Sequence, residues 1–287
     1  MKRILITGEN SYIGTSFQEW LAQYPKEYEV EAISVRGENW KETDFSKFDV
    51  VYHVAGIAHI KETKDNEKLY YQVNRDLAID VAKKSKNEGI KQFVFLSSMS
   101  IYGVDEGVIT KETPLNPKTA YGKSKLEAEL LIQELDCETF KVAIVRPPMV
   151  YGKNCTGNYS KLSKLAKLSF IFPKINNQRS MIYIDNLSYF IEICIRNNTR
   201  GILLPQNSKY VNTSEMVAEI AKANNKKIYL INGIGWLIKG ISKKSPIISK
   251  VFGTLIYDED ITFFDQYSHL NDVREISFID SIKESEK

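Results

Sequence analysis

The chain has 287 residues, of which 43% are hydrophobic and 26% charged, a composition that excludes a disordered or fibrous protein. Its 39 basic and 36 acidic residues leave a net charge of +3, too small to indicate nucleic acid as the main partner. Three scattered cysteines show no disulfide framework or metal spacing, and no apolar run is long enough to span a membrane, so we expect a cytoplasmic protein without a bound metal.

The first half of the chain alternates short β-branched runs with helical patterns. The predicted strands are Arg3–Thr7, Val30–Val35, Val50–Val54, Gln92–Ser97 and Lys141–Arg146, and the predicted helices are Ile13–Gln23, Leu69–Asn87 and Ala120–Leu135. Uninterrupted apolar strands of this kind are typical of parallel sheets covered by helices on both faces. The pattern predicts an α/β fold with a doubly wound parallel sheet, in which ligands bind beyond the carboxyl ends of the strands.

The second half departs from this alternation. A short basic helix is predicted at Lys161–Ser169, and Met181–Ile184 and Gly201–Leu204 are predicted to join the sheet as edge strands, with a helix at Asn186–Arg196 between them. Short helices and loops follow from about Gln206. We therefore assign residues 1–152 and 182–205 to the sheet domain, and residues 153–181 and 206–287 to a smaller substrate-binding lobe.

The first predicted strand ends in a glycine-containing turn, Thr7-Gly8-Glu9-Asn10-Ser11-Tyr12-Ile13-Gly14, where a helix begins. Glycine lets the backbone approach a pyrophosphate, and the helix N-terminus offers N–H groups and a positive dipole. Ser11 replaces the central glycine of the usual pattern, and a plain tight turn is the alternative. The position after the first strand favours dinucleotide binding by Gly8, Ser11, Tyr12, Ile13 and Gly14, and thus a Rossmann domain.

The tip of the second strand bears on the choice between NAD and NADP. NAD sites place a carboxylate there to bind the ribose 2′-hydroxyl, whereas NADP sites place an arginine there for the 2′-phosphate. The strand ends at Ser34-Val35-Arg36, with no acidic residue. Ser34 and Arg36 therefore favour NADP slightly, although a solvated Arg36 in a loop is the alternative.

A serine, a tyrosine and a lysine follow the fourth strand in a catalytic pattern. Ser98 ends that strand, and Tyr121 and Lys125 lie four residues apart on one face of the next helix. A phenol loses its proton near pH 10, but a neighbouring ammonium and a positive nicotinamide ring are expected to lower the pKa of Tyr121. Tyr121 would then act as an acid or base, and Ser98 would orient the substrate oxygen.

With these motifs the chain resembles the extended short-chain dehydrogenase/reductase family, in particular its NAD(P)-dependent nucleotide-sugar epimerases and dehydratases. The resemblance covers residues 1 to about 205. It implies that Ser98, Tyr121 and Lys125 are catalytic, and that the cofactor is lined by Asp44 and Phe45 at the adenine, by Val54, Ala55 and Gly56 after the third strand, by Asn74, and by Pro147 near the nicotinamide. It also implies substrate contacts at Ser98, Met149 and Arg179, the last to the nucleotide diphosphate, and a homodimer through the Tyr121 helix.

Departures from the family pattern narrow the choice among the reactions that the family catalyses. Relatives that eliminate water or carbon dioxide keep acidic residues directly after the active-site serine, whereas this chain has Met99 and Ser100. Met149 replaces an asparagine that grips the sugar in epimerases, which implies a reshaped sugar pocket. The leading hypothesis is a UDP-sugar 4-epimerase, and the alternatives are an NADPH-dependent keto-sugar or carbonyl reductase and a non-catalytic dinucleotide sensor.

An apolar segment interrupted by lysines, Ile228–Tyr257, allows two interpretations. One is a peripheral contact with anionic lipid, made by an amphipathic surface. The other, which the sequence analysis prefers, is a set of helices that cover the sugar pocket and carry lysines at its rim.

Overall fold

The fold is seen in a computed structural model, which describes residues 1–58, 60, 62–233, 246–262 and 274–287. Its strands are β1 (Lys2–Thr7), β2 (Tyr28–Ile33), β3 (Val50–His53), β4 (Gln92–Leu96), β5 (Gly107–Ile109), β6 (Lys141–Val145), β7 (Met149–Tyr151), β8 (Ile171–Pro173), β9 (Met181–Tyr183), β10 (Gly201–Leu203), β11 (Tyr229–Ile231) and β12 (Leu255–Tyr257). Its helices are α1 (Tyr12–Leu21), α2 (Glu67–Tyr71), α3 (Leu77–Asn87), α4 (Ala120–Gln133), α5 (Asn158–Leu168), α6 (Ile184–Arg196), α7 (Thr213–Ala223), α8 (Pro246–Phe252) and α9 (Phe278–Ser285).

The central sheet contains six strands among the described residues, in the order β10-β6-β4-β3-β1-β2, and all of its pairs are parallel. The chain moves from β1 outward to β2 and then returns to place β3 on the other side of β1. This reversal is the switch point at which doubly wound folds bind ligands. The predicted α/β doubly wound Rossmann fold is confirmed.

Side chains that alternate along the strands reach helices on both faces of this sheet. Val51 packs in the same apolar cluster as Phe93 and the α3 and α4 residues Val81 and Ile132, all at most 1% exposed. The neighbouring Tyr52 faces the other way, and its ring meets that of Phe17 on α1 at 5.2 Å. Burial on both faces explains why the strand sequences are almost purely apolar.

The chain forms two compact units. Unit 1 comprises Met1–Gly103, Leu115–Pro147 and Leu187–Leu204, and contains the central sheet. Unit 2 comprises Val104–Pro114, Pro148–Asn186 and Pro205–Lys287. Residues 104–114, 148–152 and 182–186, expected from the sequence in the sheet domain, lie in unit 2, where β5 pairs with β12.

One strand assignment is wrong. Gly201–Leu203 joins the central sheet beside β6 as predicted, but Met181–Tyr183 pairs with Met149–Tyr151 in a separate two-stranded sheet of unit 2. All three side chains of β9 are buried. A short apolar strand has the same sequence pattern whichever neighbour it pairs with, so the pattern did not reveal its partner.

The segment Ile228–Tyr257 is described only in part, because residues 234–245 lie outside the described residues. The ends of the segment form β11, α8 and β12. No helix in the described part of the chain has the length and apolar character needed to cross a membrane.

Candidate active site

Four parallel strands bring their carboxyl ends to one edge of the central sheet. The backbone there connects neighbouring strands: the N–H groups of Val54 and Ala55 donate to the Thr7 carbonyl at 3.1 and 2.9 Å. The N–H of Met99 donates to the Pro147 carbonyl at 3.0 Å. The segments that follow β1, β3, β4 and β6 therefore form one continuous rim in unit 1.

The turn after β1 packs directly against the segment after β3. Gly8 has a φ of 119°, and a Cβ there would lie 2.9 Å from the Ala55 nitrogen. A Cβ on Gly14 would lie 3.1 Å from a methyl of Val54 and 2.7 Å from Ser11 Oγ. Both positions thus exclude a side chain on steric grounds. Ser11, at the central position of the motif, begins α1 as its N-cap, and its Oγ accepts from the Gly14 N–H at 3.0 Å.

Ser34 and Arg36 lie just beyond β2 and are both exposed. The Arg36 N–H donates to Ser34 Oγ at 3.4 Å, so the two residues share one short loop. Among the described residues, no carboxylate forms an ion pair with Arg36. The loop therefore presents a hydroxyl and a guanidinium, as the sequence analysis expects for a 2′-phosphate.

Asp44 and Phe45, the two residues expected at the adenine, differ in exposure. Asp44 is exposed and caps a short 3-10 helix by accepting from the Ser46 N–H at 3.1 Å. Phe45 is completely buried, and its ring centroid lies 6.4 Å from that of Trp40. The Phe45 ring is therefore part of the core, and the exposed member of the pair is Asp44.

The Ser98 hydroxyl, at the end of β4, donates to Ser100 Oγ at 3.1 Å. It also lies near enough to Tyr121, in the first turn of α4, to lower the pKa of that phenol. Both side chains are half-buried. Ser98 also caps the 3-10 helix Met99–Tyr102, with its Oγ accepting from the Ser100 N–H at 3.1 Å. The helix α4 begins at an N-cap, Thr119, whose side chain accepts from the Gly122 N–H. Two caps therefore fix the backbone at Ser98 and at Tyr121.

Burial raises the pKa of Tyr121, the Ser98 hydroxyl lowers it, and the nearby Tyr70 raises it, so that the pKa is raised overall. The sequence predicts that Lys125 and a positive nicotinamide ring together lower this pKa, and in the protein alone the effect of burial is the larger one. Spacing on a helix showed that the two residues share a face, but the cost of burying a phenolate cannot be read from spacing.

Lys125 is buried under the rim, 4% exposed. Its Nζ donates to the Leu96 carbonyl at 2.8 Å and lies 4.6 Å from the centroid of the Phe95 ring. Burial lowers the pKa of Lys125 to about 8, against the opposing effect of the Glu129 carboxylate. At neutral pH most of this side chain is therefore the ammonium form.

Asn74 supports the backbone next to Lys125. Its side chain accepts from the Ile57 N–H at 2.9 Å and donates to the Ile57 carbonyl at 3.0 Å. Asn74 lies in a turn of π-helix, Gln72–Asp76, that interrupts the predicted helix Leu69–Asn87. A Cβ on Gly56 would lie 2.9 Å from Asn74 Oδ1 and 3.4 Å from Lys125 Nζ. The small residue after β3 and the π turn thus allow Asn74 and Lys125 to approach the rim together.

Two of the three residues predicted to contact the substrate, Met149 and Arg179, lie in unit 2. Met149 begins β7 and is partly exposed. Arg179 is 8% exposed, and its Nη1 donates to the Gly253 carbonyl at 3.0 Å. Burial lowers the pKa of Arg179, against the effect of Glu106, but an arginine remains charged.

Comparison with known proteins decides the family. Residues 4–201 match the sequence model of the "NAD dependent epimerase/dehydratase family". The chain is 31% identical over 290 residues to a UDP-glucose 4-epimerase of Vibrio cholerae, an alignment that covers 90% of this chain and 87% of that protein. The chain belongs to the NAD-dependent epimerase/dehydratase family.

This chain is also similar to the N-acetyl-α-D-glucosaminyl-diphospho-ditrans,octacis-undecaprenol 4-epimerase of Escherichia coli O157:H7. It is 28% identical over 201 residues, which is 68% of this chain and 60% of that protein. Among solved structures, a UDP-glucuronic acid 4-epimerase from Bacillus cereus in complex with NAD matches with a TM-score of 0.74 and 18% identity, over 99% of this chain and 97% of that one. A dTDP-4-dehydrorhamnose reductase from Bacillus anthracis in complex with NADP matches with a TM-score of 0.72 and 19% identity, over 99% of this chain and 98% of that one. Both structures support the fold.

Membership of the family confirms the resemblance drawn from the sequence and the prediction of an NAD(P)-dependent epimerase or oxidoreductase. The family is NAD dependent, which confirms a nicotinamide dinucleotide as cofactor and leaves the preference for NADP a prediction. The roles of the individual site residues and the homodimer likewise stay predictions.

A buried hydrogen-bond network next to Lys125 was not predicted from the sequence. Glu129, one turn after Lys125 on α4, accepts from Arg146 Nη2 at 2.6 Å and from its Nε at 3.0 Å. Ser97 also donates to Glu129, and Arg146 Nη1 donates to the Tyr102 hydroxyl at 3.0 Å. The signal was present in the spacing, because residues four apart on a helix share a face.

Proposed function

We propose that this chain is an NAD(P)-dependent 4-epimerase of diphosphate-linked sugars, with UDP-sugars as the leading substrates. The observation that carries this proposal is the position of α4, which bears Tyr121 and Lys125, against the end of β4: Lys125 Nζ donates to the Leu96 carbonyl, two residues before Ser98, at 2.8 Å. The Vibrio cholerae relative, a UDP-glucose 4-epimerase aligned over most of both chains, supports the same reaction.

The rim residues fit a nicotinamide dinucleotide. Gly8 and Gly14 leave backbone without side chains at the start of α1, where a pyrophosphate would be bound by N–H groups. Lys125, whose Nζ would lie 3.4 Å from a Cβ on Gly56, is the residue that would hold the nicotinamide ribose. Bound NAD(P) supplies the reversible two-electron oxidation at sugar C4 and, when oxidised, a positive charge.

Tyr121 moves the proton of the C4 hydroxyl in this proposal. Its Oη accepts that proton as C4 is oxidised and returns it as C4 is reduced on the opposite face of the sugar. Because burial raises the pKa of Tyr121, the phenolate depends on positive charge brought close to it. Ser98 orients O4 through its own hydroxyl, and the ammonium of Lys125 stabilises the negative charge in the site.

Arg179 is the candidate for binding the diphosphate. Its guanidinium is buried and donates to a single carbonyl in the described part of the chain. A guanidinium has five N–H donors, and the others are the groups that we assign to the diphosphate. Met99 and Ser100 supply no acid or base at the positions where dehydratases carry them. Next to Ser98, therefore, the sequence has no side chain that could serve as the acid or base of an elimination.

The test is 4-epimer formation followed by NMR, with UDP-glucose, UDP-galactose and their N-acetyl forms as substrates. The Escherichia coli relative is named for a sugar diphosphate carried on undecaprenol, so that compound is included in the assay. Tyr121→Phe removes the proton-transfer group while keeping the ring, and we expect it to abolish turnover but not dinucleotide binding. If no diphosphate-linked sugar is converted by the native protein, the proposal is wrong.

The exposed Ser34–Arg36 loop favours a second candidate, a keto-sugar or carbonyl reductase that uses NADPH. In that reaction the Tyr121 hydroxyl donates its proton to the oxygen of the reduced carbonyl, which suits the raised pKa. Absorbance at 340 nm separates the two candidates, because a reductase consumes one NADPH per product and an epimerase consumes none.

A further inference from the structure

Unit 2 carries an exposed apolar face where α5 is followed by the two-stranded sheet of β8 and β11. Leu168 is 79% exposed and Phe170 is 78% exposed. Ile171 and Tyr229, 58% and 61% exposed, are direct neighbours in the parallel pairing of the two strands. Phe172, the central residue of β8, is 3% exposed and therefore lies on the inner side of this strand. Single exposed apolar residues are ordinary on a protein surface, but four that are neighbours in sequence or in strand pairing are a candidate binding surface.

Lysines surround this apolar face. Lys161 and Lys164 precede Leu165 and Leu168 by four residues on α5 and therefore share their side of the helix. Lys174, which follows β8, and Lys226 and Lys227, which precede β11, are exposed as well. The face combines apolar side chains at its centre with ammonium groups at its edge.

Two sequence segments that include α5, β8 and β11 hold no acidic residue, although Glu286, near the end of the chain, pairs with Lys167 of α5 at 2.7 Å. Residues 139–184 hold eight basic residues and no aspartate or glutamate, and residues 220–257 hold seven basic residues and again no acid. Since the whole chain has a net charge of only +3, the other residues have an excess of acidic side chains. Part of this positive charge lies at the face, in the exposed side chains of Lys161, Lys164, Lys174, Lys226 and Lys227.

We propose that the face formed by α5, β8 and β11 binds the surface of a lipid bilayer that contains anionic headgroups. Aromatic and aliphatic side chains such as Phe170 and Leu168 enter the boundary between headgroups and acyl chains, and the lysines interact with the headgroup phosphates. A second copy of this chain fits the face less well, because a two-fold contact would bring two sets of lysines together.

Vesicle co-sedimentation tests the proposal with the full-length protein. We expect the protein to sediment with phosphatidylcholine vesicles that contain phosphatidylglycerol, to remain in the supernatant with phosphatidylcholine alone, and to be released by added salt. Leu168→Ser combined with Phe170→Ser should lower the partition constant about tenfold. The matched control is Ile202→Ser combined with Ile279→Ser, which removes two apolar side chains that are each 46% exposed elsewhere and should leave binding unchanged.

A second pair of variants tests the charge. Lys161→Gln combined with Lys164→Gln should lower the partition constant about tenfold, because each lysine near an anionic surface contributes attraction. Lys68→Gln combined with Lys83→Gln removes the same charge from exposed positions of unit 1 and should have little effect. Equal binding to neutral and anionic vesicles would overturn the proposal.

Size-exclusion chromatography of the same variants separates a membrane surface from a protein interface. If Leu168→Ser with Phe170→Ser converts a dimer to a monomer and the native protein does not bind vesicles, the face is an interface between copies and the proposal is wrong. Vesicle binding is measured without sugar substrate, so its failure and a failure of the 4-epimerase assay are distinguishable.

Discussion

Glu129→Gln should destabilise unit 1 strongly, because it removes the carboxylate that pairs with the buried guanidinium of Arg146. The side chains of Arg146 and Glu129 are 5% and 1% exposed, and the Nη2–Oε2 distance is 2.6 Å. Glutamine keeps the shape of glutamate but removes its charge, and an arginine cannot lose its proton to compensate. Breaking a buried pair in this way costs about 3–5 kcal/mol of unfolding free energy.

The same helix provides a matched control. Glu127, two residues earlier on α4, pairs with Arg75 Nη1 at 2.7 Å, but the side chains are 46% and 31% exposed. Solvent screens this pair, so Glu127→Gln should cost at most about 1 kcal/mol. The two variants change the same residue type to the same replacement in one helix and differ in burial.

Urea unfolding followed by tryptophan fluorescence measures the difference. In a Trp236→Phe background the remaining tryptophans, Trp20 and Trp40, both lie in unit 1 and report its unfolding. Because the Glu129 carboxylate also raises the pKa of Lys125, Glu129→Gln should move the alkaline limb of the activity profile to lower pH. If Glu129→Gln shifts the urea midpoint no more than Glu127→Gln does, the reasoning about the buried pair is wrong.

Three further predictions concern the rim and unit 2. Gly56→Ala should weaken dinucleotide binding in a fluorescence titration, because its Cβ would lie 2.9 Å from Asn74 Oδ1, and unchanged affinity would contradict the close packing described there. Arg36→Ala should raise the Kd for NADPH and leave the Kd for NADH unaltered; no change in either Kd would assign Arg36 to a solvated loop. Burial raises the pKa of Glu286, but hydrogen bonds from Lys167, Asn224, Tyr159 and Ser163 outweigh it, so that the pKa is lowered overall. The stability from Glu286 is therefore present above the ordinary carboxyl pKa and is lost as the pH falls through the lowered value, so Glu286→Gln should have a lower urea midpoint than the native protein at neutral pH and the same midpoint in acid.

The parts of the fold that could be predicted are those in which local sequence determines structure. Strands buried on both faces need apolar runs, and β1, β3, β4 and β6 lie within two residues of the predicted positions. The π turn at Gln72–Asp76 was not predicted, because its residues suit an α-helix equally well. The partner of β9 was missed because three buried residues carry no information about which strand lies beside them.

The candidate site divides in the same way. The spacing of Tyr121 and Lys125 and the position of Ser98 at a strand end led directly to the residues that meet at the rim. The protonation of Tyr121 and the burial of the Phe45 ring depend on contacts between segments distant in sequence, which no local pattern contains. Glu129 could have been found, since its spacing from Lys125 repeats the spacing of Lys125 from Tyr121.

The position of β10 at the edge of the central sheet has a consequence for biosynthesis. Its partner β6 ends at Val145, but β10 begins only at Gly201, after a long stretch of unit 2 has been translated. Gln92 on β4 likewise waits for the carbonyls of Cys194 and Thr199, which accept from its Nε2 at 3.1 and 2.9 Å. While the ribosome makes the intervening residues, the edge of β6 remains open to pairing with another nascent chain. Unit 1 can therefore complete its central sheet only after residues 146–203 have been synthesised.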